Sequence, residues 1–170
     1  MNKIIQKMDK AIEWLLIFLM AVLVIDVVWQ VATRYILGSA SSFTEEVARF
    51  LLIWIGLLGS AYAYRKNLHL AFDYLAHKLS RPVLRKLEIL IHLLIALFSI
   101  LVLVMGGSYL VQLTWELNQV SAAMQIKLAY IYSVLPISGV LIVIYSALFI
   151  KDIIGGQTFS SVGSKTEGSL

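Results

Sequence analysis

The 170-residue sequence has no cysteine, two prolines, three histidines and only 14% charged residues. Without cysteine there is neither a disulfide nor a thiolate ligand, although in a chain of this type that says little about redox compartment. Charge this sparse, beside 60% hydrophobic residues, lies outside the range of soluble domains and marks a membrane protein. No glycine-rich phosphate loop occurs, and no nucleophile, base and orienting group gather in a recognisable order, so an enzyme is not expected. No internal repeat appears, although carriers with a central substrate site commonly have one. That weighs against a self-sufficient carrier. A net charge of +4 first suggests nucleic acid. The basic residues, however, sit beside apolar runs, where they set topology and meet lipid phosphates, and no nucleic-acid partner is expected.

What is abundant is apolar sequence in long runs. Four segments reach the roughly 20 residues that cross a bilayer: about 11–33, 47–64, 87–111 and 128–150. The first has no small-residue cleavage site and exceeds a signal core, so it is expected to stay attached. Asp26 costs about 3 kcal/mol near its middle, but the many Leu, Ile, Val and Phe residues each contribute roughly 0.3 to 0.6 favourably, and insertion wins. Ser42 with Glu45 matches a helix-opening capping box for the second span. Eleven of the fourteen Lys and Arg residues fall at one end of the predicted spans, leaving Arg34, Arg49 and Lys127 at the other. The positive-inside rule then puts both termini in the cytoplasm. The expected fold is an all-α membrane protein, with residues 1–154 as one domain of four transmembrane helices, N-in and C-in. Residues 155–170, rich in Gly and Ser, read as a mobile cytoplasmic tail.

Between the second and third spans lies RKNLHLAFDYLAHKLSRPVLRK, residues 65–86, the one markedly basic stretch, with six of the fourteen Lys and Arg residues. Leu68, Phe72, Leu75 and Leu79 recur at offsets of 0, 4, 7 and 11. They predict an amphipathic interfacial helix over about 67–79 that contacts membrane lipids or another subunit. Arg81 and Pro82 end it, and Pro82 suits the first turn of the next span. His69, Asp73 and His77 share its polar side, but the outer two are about 12 Å apart along the axis. Ligands near 2.1 Å from one ion cannot be so far apart, so no metal site is expected.

Within the spans, Asp26, Gln30 and Arg34 recur every four residues and, with Thr33, form a polar stripe. Two readings stand: a proton- or sodium-coupling acid, or helix packing with Gln30 as hydrogen-bond partner. Glu45, Glu46 and Arg49 open the second span, where Glu45 can pair with Arg49 at i+4. Together with Arg34 they also suit ion pairing to a partner protein. Gly56, Gly59, Ser60 and Ala63 form small-xxx-small pairs for close helix packing, and Gly106 and Gly107 offer the same on the third span. Trp29 and Trp54, deep in their spans, are expected to pack. Pro136 is expected to kink the fourth span. His92 is the only histidine within a span, which favours a structural hydrogen bond over haem; bis-histidine ligation needs a second. No cofactor is expected.

The run VVWQVATRYILGSASSFTEEVARFLLIWIGLLGSAYAYRKNLHLAFDYL, residues 27–75, resembles the small, DctQ-like membrane subunit of tripartite ATP-independent periplasmic (TRAP) transporters. The resemblance is carried by Gln30 and Val31, Arg34 and Tyr35, Glu45, Glu46, Ala48 and Arg49, Ile53 and Trp54, Gly59, Ala61, Arg65 and His69, and more weakly by YIYSVLPISG in the fourth span. Phe43 stands where the family often has tryptophan. The resemblance implies a multi-pass protein of the bacterial inner membrane, acting as a scaffold for a larger multispan subunit that moves an organic acid inward on a sodium gradient after a periplasmic binding protein has captured it. The substrate would be of the sialic acid or C4-dicarboxylate class. Arg34, Glu45, Glu46, Arg49, Trp54, Arg65 and His69 become candidates for the partner interface. Two other classes compete: a haem or quinone anchor of a respiratory enzyme, and a small proton-coupled exporter using Asp26.

Overall fold

A computed structural model describes residues 3–38, 41–76 and 81–155, with the side chains of 3, 4, 37, 67–76, 81 and 82 outside that description. It is helical almost throughout. Helix α1 spans Lys3–Leu37, α2 Ser42–Ala76 and α3 Arg81–Phe98; a π-helical segment, Ser99–Gly106, continues α3 into α4, Gly107–Glu116; α5 is Leu128–Tyr132 and α6 Val134–Ile154. Four helical stretches are long and apolar enough to cross a membrane: Ile5–Ile36, Ser42–Lys66, Val83–Glu116 and Leu128–Ile154. They run alternately up and down, so residues 3 and 155 lie at one end of the bundle, here called the termini end, and the 3–4 connection at the other, the loop end.

Sequence chemistry accounts for the breaks. Gly38, at φ +71, ends α1 in the left-handed conformation that glycine adopts without a Cβ penalty. Helix α2 begins at Ser42 itself, so the expected Ser42–Glu45 capping box is not how it opens; the Thr44 hydroxyl donates to the Ser41 carbonyl at 2.9 Å. Pro82 lies in the first turn of α3, where its missing N–H costs nothing. Pro136 has no N–H for the preceding turn, and the helix is interrupted at Ser133, between α5 and α6. Beyond residue 66, α2 continues without a break to Ala76. The segment expected to form a separate helix is thus, up to Ala76, the extension of the second span. The apolar face proposed for it, and the tail 156–170, lie outside the described side chains and residues.

Packing is uneven. Helix α6 is the centre of the bundle, against α2, α3 and the π segment, whereas α1 lies mainly along α2. Only 6% of the most apolar stretch of the first span is buried, against 39% of the fourth. The α1 residues Ile12, Leu16, Leu19, Leu23, Asp26, Gln30 and Thr33, spaced alternately by four and three, are buried or half-buried, while their neighbours are mostly exposed. This is the seam of an antiparallel helix pair. Trp29 falls off the seam and is 62% exposed, so the expectation that it packs inside the chain fails: its face of α1 points away from α2.

The closest helix approach is between the third and fourth spans. A Cβ on Gly107 would lie 2.8 Å from Leu135 Cβ, and one on Gly139 would lie 2.7 Å from Leu103 Cβ and 3.1 Å from the Val104 backbone nitrogen. The π segment faces Gly139, and Ser99 donates to the Gly139 carbonyl at 3.1 Å. Gly107 therefore does what was expected of the third-span glycines, and Gly139 reciprocates. On α2 the picture differs. Gly56 has nothing within 4 Å, Gly59 touches only Leu16 Cδ2 at 4.0 Å, Ser60 is exposed and bonded to its own Leu57 carbonyl, and Ala63 is half-buried. Within this chain, then, Gly56 and Ser60 do not close-pack a helix, because their side of α2 faces outward.

Candidate functional site

Polar side chains collect in two layers, one at each end of the bundle. At the termini end, Tyr145 donates to Asp9 Oδ1 at 2.8 Å and the Arg65 Nε donates to Asp9 Oδ2 at 3.4 Å. The Arg65 guanidinium also stands over the rings of Tyr145 and Phe149, 5.8 and 5.3 Å from their centroids. Asp9 and Arg65 are both largely withdrawn from solvent, so their attraction is screened less than that of a surface pair. Ile12 packs with Tyr145 and Phe149 beside them. At the same level, the Tyr64 hydroxyl bonds both His92 Nδ1, at 2.7 Å, and Ser146 Oγ, at 2.8 Å, while the His92 ring stacks on Phe149 with centroids 5.0 Å apart. These contacts join all four spans. Glu88, one turn before His92 on α3, is 2% exposed, and its Oε2 has no hydrogen-bond partner among the described residues.

At the loop end the dominant group is Glu46. Its carboxylate accepts from Ser121 Oγ at 2.9 Å and from three successive backbone N–H groups, Ala122 at 2.8 Å, Ala123 at 3.1 Å and Met124 at 2.9 Å. Successive N–H groups turned to one side make a concavity that suits an anion, and here the chain's own carboxylate fills it. The loop is further closed by the Val120–Lys127 antiparallel bridge, with Ser121 N–H on the Ile126 carbonyl at 2.9 Å. Asn118 and Gln125 adopt positive φ, 46° and 56°, where it turns. Lys127 Nζ stands 4.2 Å from the Trp115 ring centroid, and Trp115 meets Tyr130 edge to face. Nearby, the Trp54 indole donates to the Ile131 carbonyl at 3.1 Å, in the turn before the break at Ser133.

The structure divides the seven residues expected at a partner interface. Glu46, Arg65 and Trp54 are engaged inside the chain, each with a residue more than fifty positions away. Within this chain, helix rotation turns their polar groups inward. Glu45 and Arg49 form the expected i,i+4 pair at 3.3 Å and are well exposed, and Arg34 is exposed too. His69, and with it Asp73 and His77, lies outside the described side chains.

The polar stripe also resolves. Asp26, Gln30 and Thr33 are on the α1–α2 seam, whereas Arg34 is off it. Thr33 bonds the carbonyls of Trp29 and Gln30 at 3.0 Å, and Asp26 Oδ2 is buried with no hydrogen-bond partner, so the pairing with Gln30 expected from their spacing does not satisfy that oxygen. His92 does form a structural hydrogen bond, with Tyr64 on the second span. Sequence reading missed the network of Asp9, Tyr145, Tyr64 and Ser146. Its only signal was that polar side chains otherwise unexplained recur near the same ends of several apolar runs. What the arrangement does is hold helices in a set register, with apolar faces left outside.

A family model described as "Tripartite ATP-independent periplasmic transporters, DctQ component" matches residues 23–155, which includes both layers except Asp9. The chain belongs to this family. It is a small TRAP transporter permease subunit and not an enzyme, and with four spanning helices it is a multi-pass membrane protein. A Haemophilus influenzae protein assigned as a TRAP transporter small permease is 37% identical over 79 residues, 46% of this chain and 49% of that one. The sialic acid TRAP transporter small permease protein SiaQ of Vibrio cholerae is 32% identical over 96 residues, 56% of this chain and 53% of SiaQ. This chain thus spans about half the length of each of those two relatives. A second H. influenzae small permease assignment is 24% identical over 151 residues, 88% of this chain and 90% of that one.

Proposed function

We propose that this chain is the static scaffold subunit of a TRAP transporter in a bacterial inner membrane. It serves a larger multispan subunit that imports an organic acid on a sodium gradient after a periplasmic binding protein delivers it. The observation that carries this reading is the use made of polar groups. Two end layers of polar side chains, hydrogen-bonded to one another or to backbone, join the helices into a braced unit, and extensive apolar faces of α1 and α2 remain outside. A carrier needs a polar midplane site between movable halves; a scaffold needs rigidity and surface. Both termini lie in the cytoplasm, as the excess of Lys and Arg at the termini end supports. The extension of α2 through Ala76 continues the second span beyond the bilayer at that end, where it meets lipid headgroups or the large subunit. The exposed Glu45–Arg49 pair, with Arg34, faces the partner at the loop end. The substrate belongs to the sialic acid or C4-dicarboxylate class; the similarity to SiaQ supports the former.

Co-expression tests this. The chain should co-purify with the multispan subunit, and liposomes should accumulate the acid only with both subunits, the binding protein and an inward sodium gradient. Sodium-dependent uptake by this chain alone would overturn the reading.

A further inference from the structure

The side of α1 turned away from α2 carries its chemistry in a set order. Lys7, Lys10, Trp14, Ile17, Ala21 and Val24, spaced alternately by three and four, form one stripe and are all exposed. The lysines stand at the termini end, the tryptophan follows one turn deeper, and apolar residues continue from there. Around Ala21, the smallest of them, Ile17, Met20, Val24 and Ile25 are among the residues lining an open groove of about 640 Å³. The depths match one leaflet. At 1.5 Å per residue, Trp14 lies about 6 Å and Val24 about 21 Å below Lys10 along the axis, and one leaflet with its headgroups is about 20–22 Å deep.

The charges at the head of the stripe are not spent inside the chain. Asp9 is taken by Tyr145 and Arg65, and Glu13 is set against the Tyr62 hydroxyl. Among the described residues the ion pairs are Arg49–Glu45 and Arg65–Asp9, so neither Lys7 nor Lys10 has one. A second open groove, of about 340 Å³ beside Pro136, Ile137, Val140 and Leu141, has no basic side chain in its lining. Charge therefore singles out the groove on α1. Lysine stems lie along apolar surface while their ammonium groups reach phosphate, and indole rings settle at headgroup level. We infer that the outward face of α1 binds an anionic phospholipid of the leaflet at the termini end, with its headgroup phosphate on Lys7 and Lys10 and an acyl chain in the groove at Ala21. The site is independent of the scaffold role and of the transported acid.

The test titrates the full chain, purified in neutral detergent, with phosphatidylglycerol and with phosphatidylcholine of the same acyl composition, and counts bound lipid by native mass spectrometry. Each lysine near an anionic lipid is worth roughly fivefold in binding, about 1 kcal/mol. One phosphatidylglycerol should therefore bind per chain about 25-fold more tightly than phosphatidylcholine, and Lys7→Gln with Lys10→Gln should remove that preference. Lys86→Gln with Lys151→Gln takes the same charge from exposed lysines of α3 and α6 and should leave binding within about twofold. Ala21→Trp fills the groove on an exposed face and should weaken both lipids about fivefold. Equal losses in the two double variants mean charge spread over the whole end and overturn the inference. So does a wild-type chain with no preference for phosphatidylglycerol, or an Ala21→Trp variant that binds normally. Co-purified with the multispan subunit, the chain should keep its lipid; loss of the lipid there gives this face to a protein helix and equally overturns the inference.

Discussion

Replacing Gly139 with alanine adds one methyl group at the tightest helix contact described in the chain. Its Cβ would stand 2.7 Å from Leu103 Cβ, 2.9 Å from Val104 Cγ2 and 3.1 Å from the Val104 backbone nitrogen. Two of those atoms are backbone or the first side-chain carbon, so no rotamer change removes the clash. The third and fourth spans would have to separate by about 0.7 Å to reach ordinary contact near 3.4 Å, loosening the Ser99 bond to the Gly139 carbonyl. Overpacking of this kind typically costs about 1–3 kcal/mol. The gain in helix propensity from glycine to alanine, up to about 1 kcal/mol, offsets part of it. The net expectation is a loss of up to about 2 kcal/mol, at most about 4–8 °C in the melting temperature of a chain this size. Gly56→Ala is the matched control. Nothing lies within 4 Å of its Cβ position, so only the propensity gain of up to about 1 kcal/mol remains. Thermal unfolding of the purified chain in detergent, followed by tryptophan fluorescence, compares the two. Equal melting temperatures for both variants, or a Gly56→Ala variant as unstable as Gly139→Ala, would refute the packing argument.

Tyr64→Phe removes the hydroxyl shared by His92 and Ser146, leaving two buried polar groups short of a partner; the same unfolding measurement should show a loss of about 1–3 kcal/mol. Asp9→Ala and Arg65→Ala, alone and together, should give a double-mutant coupling of about 1–2 kcal/mol, because the pair is withdrawn from solvent; a coupling near zero argues against the termini-end layer. Exposed Glu45 and Arg49 should couple by no more than about 0.5 kcal/mol in the isolated chain. Asp26→Leu completes an apolar α1–α2 seam and removes a buried oxygen that has no partner, so it should raise stability by about 1–3 kcal/mol; a destabilised variant would mean that the carboxylate is satisfied in the membrane by a group this chain does not supply.

What the sequence by itself determined is whatever depends on neighbours along the chain. Apolar run length set four spanning helices, Pro136 set the interruption of the fourth, i,i+4 spacing set the Glu45–Arg49 pair, and the ordered residues between 27 and 75 pointed to the family. Tertiary structure decided which polar groups face inward. Glu46 and Glu45 are adjacent, and no local rule separates them. A rotation of 100° about α2 turns Glu46 to a loop 75 positions further on and leaves Glu45 in the open. The same rotation exposes Gly56, while Gly139, unremarkable in sequence, makes a close contact with Leu103 and Val104. Arg65 meets Asp9 because antiparallel packing of α1 on α2 brings residues 56 positions apart to one level. Periodicity places a residue on a face of its own helix. Which face meets which neighbour is set by the rotation and register of whole helices, and those are properties of the packed bundle.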